Sequence, residues 1–157
     1  MKTKNSFADA KVNEVMTRRV HSLMQNDTIQ DAVALMLDNR LSAIPVVDSG
    51  NHCIGIISRA DLTEVFLQED QELSRESEND RLSLEWINRS LDTCDVRMVK
   101  ELMTYEVTQI QEDQSLPEAC KEMVKKRIHH LPVVNSENVV VGFLSSFDVV
   151  KAVSEHE

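Results

Sequence analysis

The sequence predicts a mixed α+β fold in which one β-α-β-β-α unit occurs twice. The first observation is an internal repeat, because the chain aligns with itself without a gap after a shift of 87 residues. The second is a pair of short β-branched runs in each copy. The third is a helix-start signal before the first helix of each copy. One such unit is small for independent stability, so we expect the two copies to form one compact pair.

The two copies match in an opening segment and in a longer central segment. The matching stretches are "VNEVMTRRV" at 12–20 with "VKELMTYEV" at 99–107, and "NRLSAIPVVDSGNHCIGIISRAD" at 39–61 with "KRIHHLPVVNSENVVVGFLSSFD" at 126–148. Four residue types recur at equivalent positions: Pro45 and Pro132, Gly55 and Gly142, Ser58 and Ser145, Asp61 and Asp148. A shared register of about 54 residues indicates a duplicated supersecondary unit.

Each copy begins with a short extended stretch after Met-Thr and continues into a helix. In the second copy Ser115 is a good N-cap, Pro117 lies in the first turn, and Glu118 completes a capping box. In the first copy, Thr28 with Asp31 is a weaker version of the same signal.

Two strands and a second helix complete each copy. The strand candidates are "AIPVVD" and "HCIGIIS" in the first copy, and "LPVVN" and "VVVGFLS" in the second. Asn51 or Asn138 lies in the turn between them. The second helices are "SRADLTEVF" and "SSFDVVKAV". We therefore predict domains at 12–65 and 99–152, separated by an insert at 66–98.

The insert admits two interpretations. Its acidic residues 69–80 favour a solvated helical linker. Its later part is too apolar for a free linker, which favours an amphipathic helix anchored by Trp86 and docked on the pair or on another subunit. The apolar residues concerned are Leu82, Leu84, Trp86, Ile87 and Leu91.

Composition excludes several classes of function. A formal net charge of −10 argues against a general nucleic-acid binder. No apolar run approaches the ~18 residues of a membrane span, and no signal peptide is evident, so we expect a soluble cytoplasmic protein without a membrane partner. Cys53, Cys94 and Cys120 lack CxxC spacing and suggest buried thiols. With three glycines, no nucleophile–base pair and no metal cluster, we expect no enzyme, no metal and no required cofactor.

The paired "MT…V" openings, "R-I-x-x-L-P-V-V" centres and "G-x-x-S-x-x-D" closings resemble the cystathionine β-synthase (CBS) domain, and two in tandem resemble a stand-alone Bateman module. The resemblance implies two CBS units packed sheet to sheet with pseudo-two-fold symmetry. It also implies a regulatory module that binds AMP, ADP, ATP or S-adenosylmethionine between the units, forms a homodimer and modulates an unknown partner protein. The alternative is a structural dimerisation or interaction protein without a ligand.

The closings "GIISRAD" at 55–61 and "GFLSSFD" at 142–148 are the candidate ligand motifs. Each runs from a strand end into a helix start, where unpaired N–H groups favour an anion. Ser58 or Ser145 can donate to phosphate or ribose, and Asp61 or Asp148 can accept from two ribose hydroxyls. The same Ser-x-x-Asp spacing is also a helix-capping arrangement, and the two roles can coexist.

The resemblance supplies the base-binding wall of each cleft from the other repeat. One cleft would join Thr17, Ser22, Leu41, Ser42 and Ala43 to His130, Ser145 and Asp148. The second would join Thr104, Gln109, Ile128, His129 and His130 to Ser58, Arg59 and Asp61. Leu41 or Ile128 would lie against the purine, and the histidines would contact phosphate.

The two clefts differ in charge. The second has two imidazoles where the first has small neutral side chains, and it has Arg59 where the first has Ser146. We therefore predict that the second cleft prefers the more phosphorylated ligand, with affinity rising toward pH 6, and that the first suits AMP-like or uncharged adenosine groups. Adjacent extended residues point opposite ways, so one histidine faces the cleft, with His130 favoured. Residues 125–127 would close the preceding helix.

Overall fold

The computed structural model describes residues 7–69 and 97–155. A 3-10 helix at Phe7–Asp9 is followed by α1 (Val12–Val15), β1 (Leu23–Met24), α2 (Ile29–Asn39), β2 (Ala43–Val47), β3 (Cys53–Ser58), α3 (Arg59–Glu69), α4 (Val99–Leu102), β4 (Ile110–Gln111), α5 (Leu116–Lys126), β5 (His130–Val134), β6 (Val140–Ser145) and α6 (Ser146–Ser154). The predicted β-α-β-β-α order is confirmed in both copies. The apolar part of the insert, with Trp86, lies outside the described residues, as does Cys94.

Each copy forms a three-stranded sheet, in the orders β1-β2-β3 and β4-β5-β6. β1 is parallel to β2 and β4 is parallel to β5, because a helix crosses over between them. β5 and β6 are antiparallel, with His130 opposite Ser145 and Val134 opposite Val140. The end of β6 therefore lies beside the start of β5, and this places the Ser145 motif next to the histidines.

The chain divides into two compact units, each of which contains residues of both copies. Unit 1 comprises the described residues up to Val20, Gly50–Cys53, and those from Val107 onward. Unit 2 comprises His21–Ser49 and the described residues of Ile54–Glu106. The opening segment of each copy thus belongs with the strands and helices of the other copy. The predicted boundaries at 12–65 and 99–152, and the packing of sheet on sheet, stay predictions.

Backbone hydrogen bonds hold these exchanged segments in place. In unit 1, the N–H of Val12 donates to the carbonyl of Gln114 at 3.0 Å, and Thr17 exchanges two 2.9 Å bonds with Phe143. In unit 2, Val99 donates to Asp27 at 2.8 Å, and Thr104 pairs in the same way with Ile56. The exchange follows the 87-residue repeat, and it brings a Met-Thr pair to the edge strand of each sheet.

The predicted helix starts are confirmed. Ser115 Oγ accepts from the N–H of Glu118 at 3.3 Å, and the Glu118 carboxylate accepts from the N–H of Ser115 at 3.0 Å. Thr28 and Asp31 form the same reciprocal pair at 3.1 and 3.0 Å, so the cap of the first copy is equally complete. Such caps satisfy N–H groups that the first helical turn leaves unpaired.

Residues with a left-handed backbone conformation occur at equivalent helix ends and turns in the two copies. The C-cap residues of α2 and α5 are Arg40 and Arg127, both with φ of 54°. Lys125 and Lys126 lie in the last turn of α5, as expected for cations at a helix C-terminus. Asn51 and Asn138 have φ values of 62° and 60°, and this confirms the two turns between strands.

Each unit has its own apolar core. In unit 2, α2 contributes Ile29 and Met36, which pack with the fully buried Ile44, Ile57 and Leu62. In unit 1, Leu116, Leu131 and Leu144 are fully buried in the corresponding core. The exchanged segments join these cores through Met103 in unit 2 and Met16 in unit 1.

Candidate functional site

The Ser145 motif lies where β6 passes directly into α6. One carboxylate oxygen of Asp148, Oδ2, accepts from the Ser145 N–H at 2.8 Å and from its hydroxyl at 2.7 Å. The Ser145 hydroxyl in turn accepts from the Asp148 N–H at 3.1 Å. The capping interpretation of this motif is therefore correct. Within the described part of the chain, the other oxygen, Oδ1, accepts no hydrogen bond, so it remains available to a ligand hydroxyl.

The Ser58 motif has the same cap and one additional contact. Asp61 Oδ2 accepts from the Ser58 N–H at 2.7 Å and from its hydroxyl at 2.6 Å. The hydroxyl of Thr104 donates to the second oxygen, Asp61 Oδ1, at 3.3 Å. The structure thus brings together three residues that the second predicted cleft contains. A ligand that uses Oδ1 of Asp61 would share that oxygen with the Thr104 hydroxyl or displace it.

Arg59 follows Ser58, and two hydrogen bonds connect it to the residues just before β2. Its N–H donates to the carbonyl of Ser42 at 3.0 Å, and its Nε donates to the carbonyl of Leu41 at 3.2 Å. The terminal guanidinium nitrogens form no ion pair or hydrogen bond with any residue in 7–69 or 97–155. They can therefore receive an anion, since a guanidinium carries a permanent positive charge.

His130 and Phe143 form an aromatic pair beside the Ser145 motif. Their ring centroids are 5.7 Å apart and the ring planes differ by 18°. His130 is half-buried, whereas His129 is exposed. Burial lowers the pKa of His130, and the charge of His129 lowers it further, against a smaller opposing effect of Asp148. The His130 imidazole is therefore predominantly neutral at pH 7 without a ligand, and its predicted phosphate contact stays a prediction.

The lowered pKa predicts that acid destabilises the wild-type protein through His130. Because the folded-state pKa lies below the ordinary value of about 6.5, the unfolded state binds more protons between the two values. This contribution to stability is complete above pH 6.5 and is lost as the pH falls through the folded-state pKa. We expect the free energy of unfolding, measured with urea, to fall more steeply between pH 8 and pH 5 for wild type than for His130→Phe. The difference between the two proteins at pH 8, where the imidazole is neutral in both states, measures the change in packing alone. Parallel curves would contradict the assignment.

An open pocket of about 400 Å³ lies in unit 1 at the other end of β5. It is lined by His52, Cys53, Gln109, Ile110, Gln111, Gln114, Val134 and Asn138. Only Gln109 was predicted, as a base contact of the second cleft. The carboxamides offer donors and acceptors without formal charge, which suits a neutral ligand group. Gln109 and Gln111 lie on either side of Ile110 at the start of β4, and this two-residue spacing is the sequence signal for one polar face.

The remaining predicted residues belong to different units. Ser22, Leu41, Ser42 and Ala43 belong to unit 2, whereas Thr17, Gln109, Ile128 and His129 belong to unit 1. Leu41 and Ile128 are partly buried against the core of their own unit. Both predicted clefts combine residues of the two units and stay predictions.

The described residues contain neither a candidate metal-binding cluster nor a helix that could span a membrane. No group of three or more potential metal-binding side chains occurs in 7–69 and 97–155. In the same ranges Cys53 and Cys120 are half-buried and form no disulfide, and burial raises the pKa of Cys120. No helix there has the length and apolar character needed to span a membrane.

Comparison with known proteins identifies the repeated unit. The family model for the CBS domain matches residues 12–68 and 99–155. The chain belongs to the CBS-domain family. This CBS pair is 28% identical over 151 residues to the uncharacterized protein MJ1426 of Methanocaldococcus jannaschii, covering 90% of this chain and 89% of that protein. It is 26% identical over 148 residues to the chloroplastic CBS domain-containing protein CBSX1 of Arabidopsis thaliana, covering 90% of this chain but 63% of CBSX1.

Solved CBS structures share the fold of the pair. AcuB from Vibrio cholerae is 29% identical with a TM-score of 0.68, covering 92% of this chain and 90% of AcuB. CBSX2 of Arabidopsis thaliana in complex with AMP is 23% identical with a TM-score of 0.71, covering 93% and 97%. The CBS pair of MJ0100 with 5′-methylthioadenosine and S-adenosyl-L-methionine is 20% identical with a TM-score of 0.70, covering 94% and 98%. The predicted tandem CBS fold is therefore confirmed.

Proposed function

We propose that this CBS pair is a regulatory module that binds adenosine-type ligands and modulates a partner protein. The observation that carries the proposal is the pair of Ser-x-x-Asp motifs, each at a strand-to-helix junction, with one Asp148 oxygen open to a ligand. AMP, ADP, ATP and S-adenosylmethionine are the candidate ligands. The complexes of CBSX2 with AMP and of MJ0100 with S-adenosyl-L-methionine support this choice, because both proteins share the fold.

The chemistry of the two motifs matches the parts of such a ligand. A carboxylate can accept hydrogen bonds from the two vicinal hydroxyls of ribose. Arg59 can pair with phosphate, so the Asp61 motif favours the more phosphorylated ligand, whereas Ser146 offers no charge at the equivalent place. These steps are binding steps, and the proposal assigns the chain no catalysis and no required cofactor.

We also propose that the module is a homodimer in the cytoplasm. Phe147, Val150 and Val153 lie three residues apart along α6 and are 72%, 63% and 49% exposed. This apolar stripe supports contact with a second copy, since such faces are usually covered. Light scattering tests the expected dimer mass. The same stripe favours the alternative function, a structural dimerisation protein with the CBS fold and no ligand.

Ligand-dependent stability tests the proposed function. A ligand at 100 times its dissociation constant adds about 2.7 kcal/mol to the free energy of unfolding. We expect at least one of the four adenosine compounds to raise the Tm of the full chain, with cytidine monophosphate as a control of equal charge to AMP. If no adenosine compound raises the Tm at millimolar concentration, the regulatory proposal is wrong and the structural alternative is favoured.

A further inference from the structure

The open pocket of about 400 Å³ in unit 1, here called the amide-lined pocket, brings together four side-chain carboxamides. They come from β4 and the residue before it, from the turn after β4, and from the turn between β5 and β6. The residues are Gln109, Gln111, Gln114 and Asn138. The volume lies in the range of about 300–1,000 Å³ that is usual for small-molecule sites. Within the described chain, none of the lining residues is Lys, Arg, Asp or Glu, so the pocket offers hydrogen-bonding groups but no permanent charge.

The amide-lined pocket lies at the opposite end of β5 from the Ser145 motif. Ser145 is opposite His130, the first residue of β5, whereas Val134, the last residue, lines the pocket. At ~3.3 Å per residue, the four-residue step from His130 to Val134 spans about 13 Å. The pocket contains no residue of either closing motif. An occupant of this pocket is therefore a different ligand from one bound at the Asp148 carboxylate.

Gln114 performs a structural task that does not need a carboxamide. Its Oε1 accepts from the N–H of Gln111 at 2.9 Å. The equivalent residue of the first copy is Asp27, whose Oδ2 accepts from the N–H of Met24 at 2.7 Å. A carboxylate thus closes the same turn. The carboxamide adds an Nε2 donor that forms no hydrogen bond with residues 7–69 or 97–155, and the bond at Oε1 fixes which end of the amide donates.

The other three carboxamides of the pocket also form no side-chain hydrogen bond with the described residues. They belong to Gln109, Gln111 and Asn138. The counterpart of Asn138 differs, because Asn51 donates through Nδ2 to the carbonyl of Val140 at 3.0 Å. The two glutamines beside Ile110 are specific to the second copy, since the first copy has Ser22 and Met24 at these positions. The duplicated fold therefore does not require the glutamines.

The ordinary interpretation of exposed carboxamides is that water solvates them. A ligand is favoured because four carboxamides from three segments line one concave surface, and one of them has a fixed orientation. A carboxamide matches another carboxamide, because each carries both a donor and an acceptor. A carboxylate only accepts, and the net charge of −10 disfavours its approach. An ammonium group only donates, so it would leave the Nε2 group of Gln114 without an acceptor.

We infer that the amide-lined pocket binds a small uncharged molecule through a carboxamide or lactam group. The ligand carbonyl accepts from Nε2 of Gln114, and the ligand N–H donates to the side-chain oxygen of Gln111 or Asn138. The inference goes beyond the proposed function and does not depend on adenosine binding. It gives the module a second ligand, which is recognised by its amide and not by a phosphate or a ribose.

Benzamide and benzoate test the inference, because they have nearly the same shape and differ in charge. ¹H–¹⁵N correlation spectra of the full chain observe the side-chain NH₂ groups directly. We expect millimolar benzamide to shift the NH₂ signals of Gln111 and Gln114 in a saturable way, in the presence or absence of AMP. Benzoate should leave these signals unchanged. Equal effects of the two compounds would overturn the inference, as would the absence of any benzamide shift.

Two variants assign the contacts. Gln114→Asp carries the residue that closes the turn in the first copy, and Asn138→Gly removes an amide while allowing the φ of 60°. Each should raise the dissociation constant of benzamide by about three- to tenfold, the size of one neutral hydrogen bond. Gln25→Asp makes the same chemical change as Gln114→Asp at an exposed residue of unit 2, and should leave the constant unchanged.

The outcomes distinguish this inference from the proposed function. Parent affinity for benzamide in both pocket variants would overturn the inference, whatever the adenosine compounds do to the Tm. Displacement of benzamide by AMP would assign the pocket to the adenosine ligand, so the second site would be wrong while the proposed function would stand. If no adenosine compound binds but benzamide binds as expected, the proposed function fails and the amide site remains.

Discussion

Gly142→Val is expected to lower the free energy of unfolding by about 1–3 kcal/mol, the usual cost of overfilling a packed core. A Cβ at this position would overlap the sulfur of Met16 and would lie 2.9 Å from its Cγ and 3.1 Å from its Cε. Since the side chain covers the glycine along its length, a movement of its tip cannot relieve the clash. Urea denaturation of the two proteins measures the difference.

A double-mutant cycle identifies the cause of this loss. Met16→Ala alone leaves a cavity and should cost about 2–5 kcal/mol. Because the smaller side chain makes room for the valine, the double variant should be more stable than the sum of the two losses predicts. Additive losses would show that the methionine is not the obstacle. Gly55 and Met103 form the matched pair in unit 2, where the added Cβ would lie 2.6 Å from the sulfur.

The methionine–glycine contact also connects stability to the candidate site. Met16 anchors the segment that continues into Thr17, and Thr17 pairs with Phe143, whose ring stacks on His130 beside the Ser145 motif. Overfilling at Gly142 should therefore disturb ligand binding as well as folding. This explains why Met-Thr occurs in both copies: the methionine packs over a glycine, and the threonine pairs with the edge strand of the sheet.

The order of elements was predictable because its signals are local. The caps at Thr28 and Ser115 and the turns at Asn51 and Asn138 depend on side chains within three residues of the backbone groups they serve. The exchange of opening segments was not predictable from the repeat. The two copies offer the same backbone donors and acceptors. The sequence therefore does not indicate which copy's opening segment pairs with a given sheet.

The candidate site was predictable in part for the same reason. Ser145 and Asp148 are three residues apart, so one local pattern specifies both the cap and the carboxylate. The environment of His130 depends on Phe143, which is distant in sequence and adjacent only across the β5–β6 ladder. Its burial and lowered pKa are therefore tertiary effects. The amide-lined pocket likewise combines His52 and Cys53 with residues of β4 and β5 that are distant in sequence.

Asp148→Asn is expected to weaken AMP binding by about tenfold to 100-fold, the size of one lost hydrogen bond to a charged group. Asparagine has the same shape, and its amide oxygen can still accept from the Ser145 N–H, so the start of α6 should remain capped. The variant therefore removes the charge with little change in folding. Titration calorimetry measures the affinity, and urea denaturation measures any loss of the cap.

Asp61→Asn is the matched variant and should weaken adenosine binding less. Its Oδ1 already accepts from Thr104, so a ribose gains less there than at the open oxygen of Asp148. Thr104→Val removes that donor and should therefore narrow the difference in adenosine affinity between the two motifs. Thr17→Val should leave the Oδ1 of Asp148 unaffected. If both asparagine variants lose stability equally and retain the parent affinity, the two motifs are helix caps alone, and ligand binding must be sought at the amide-lined pocket.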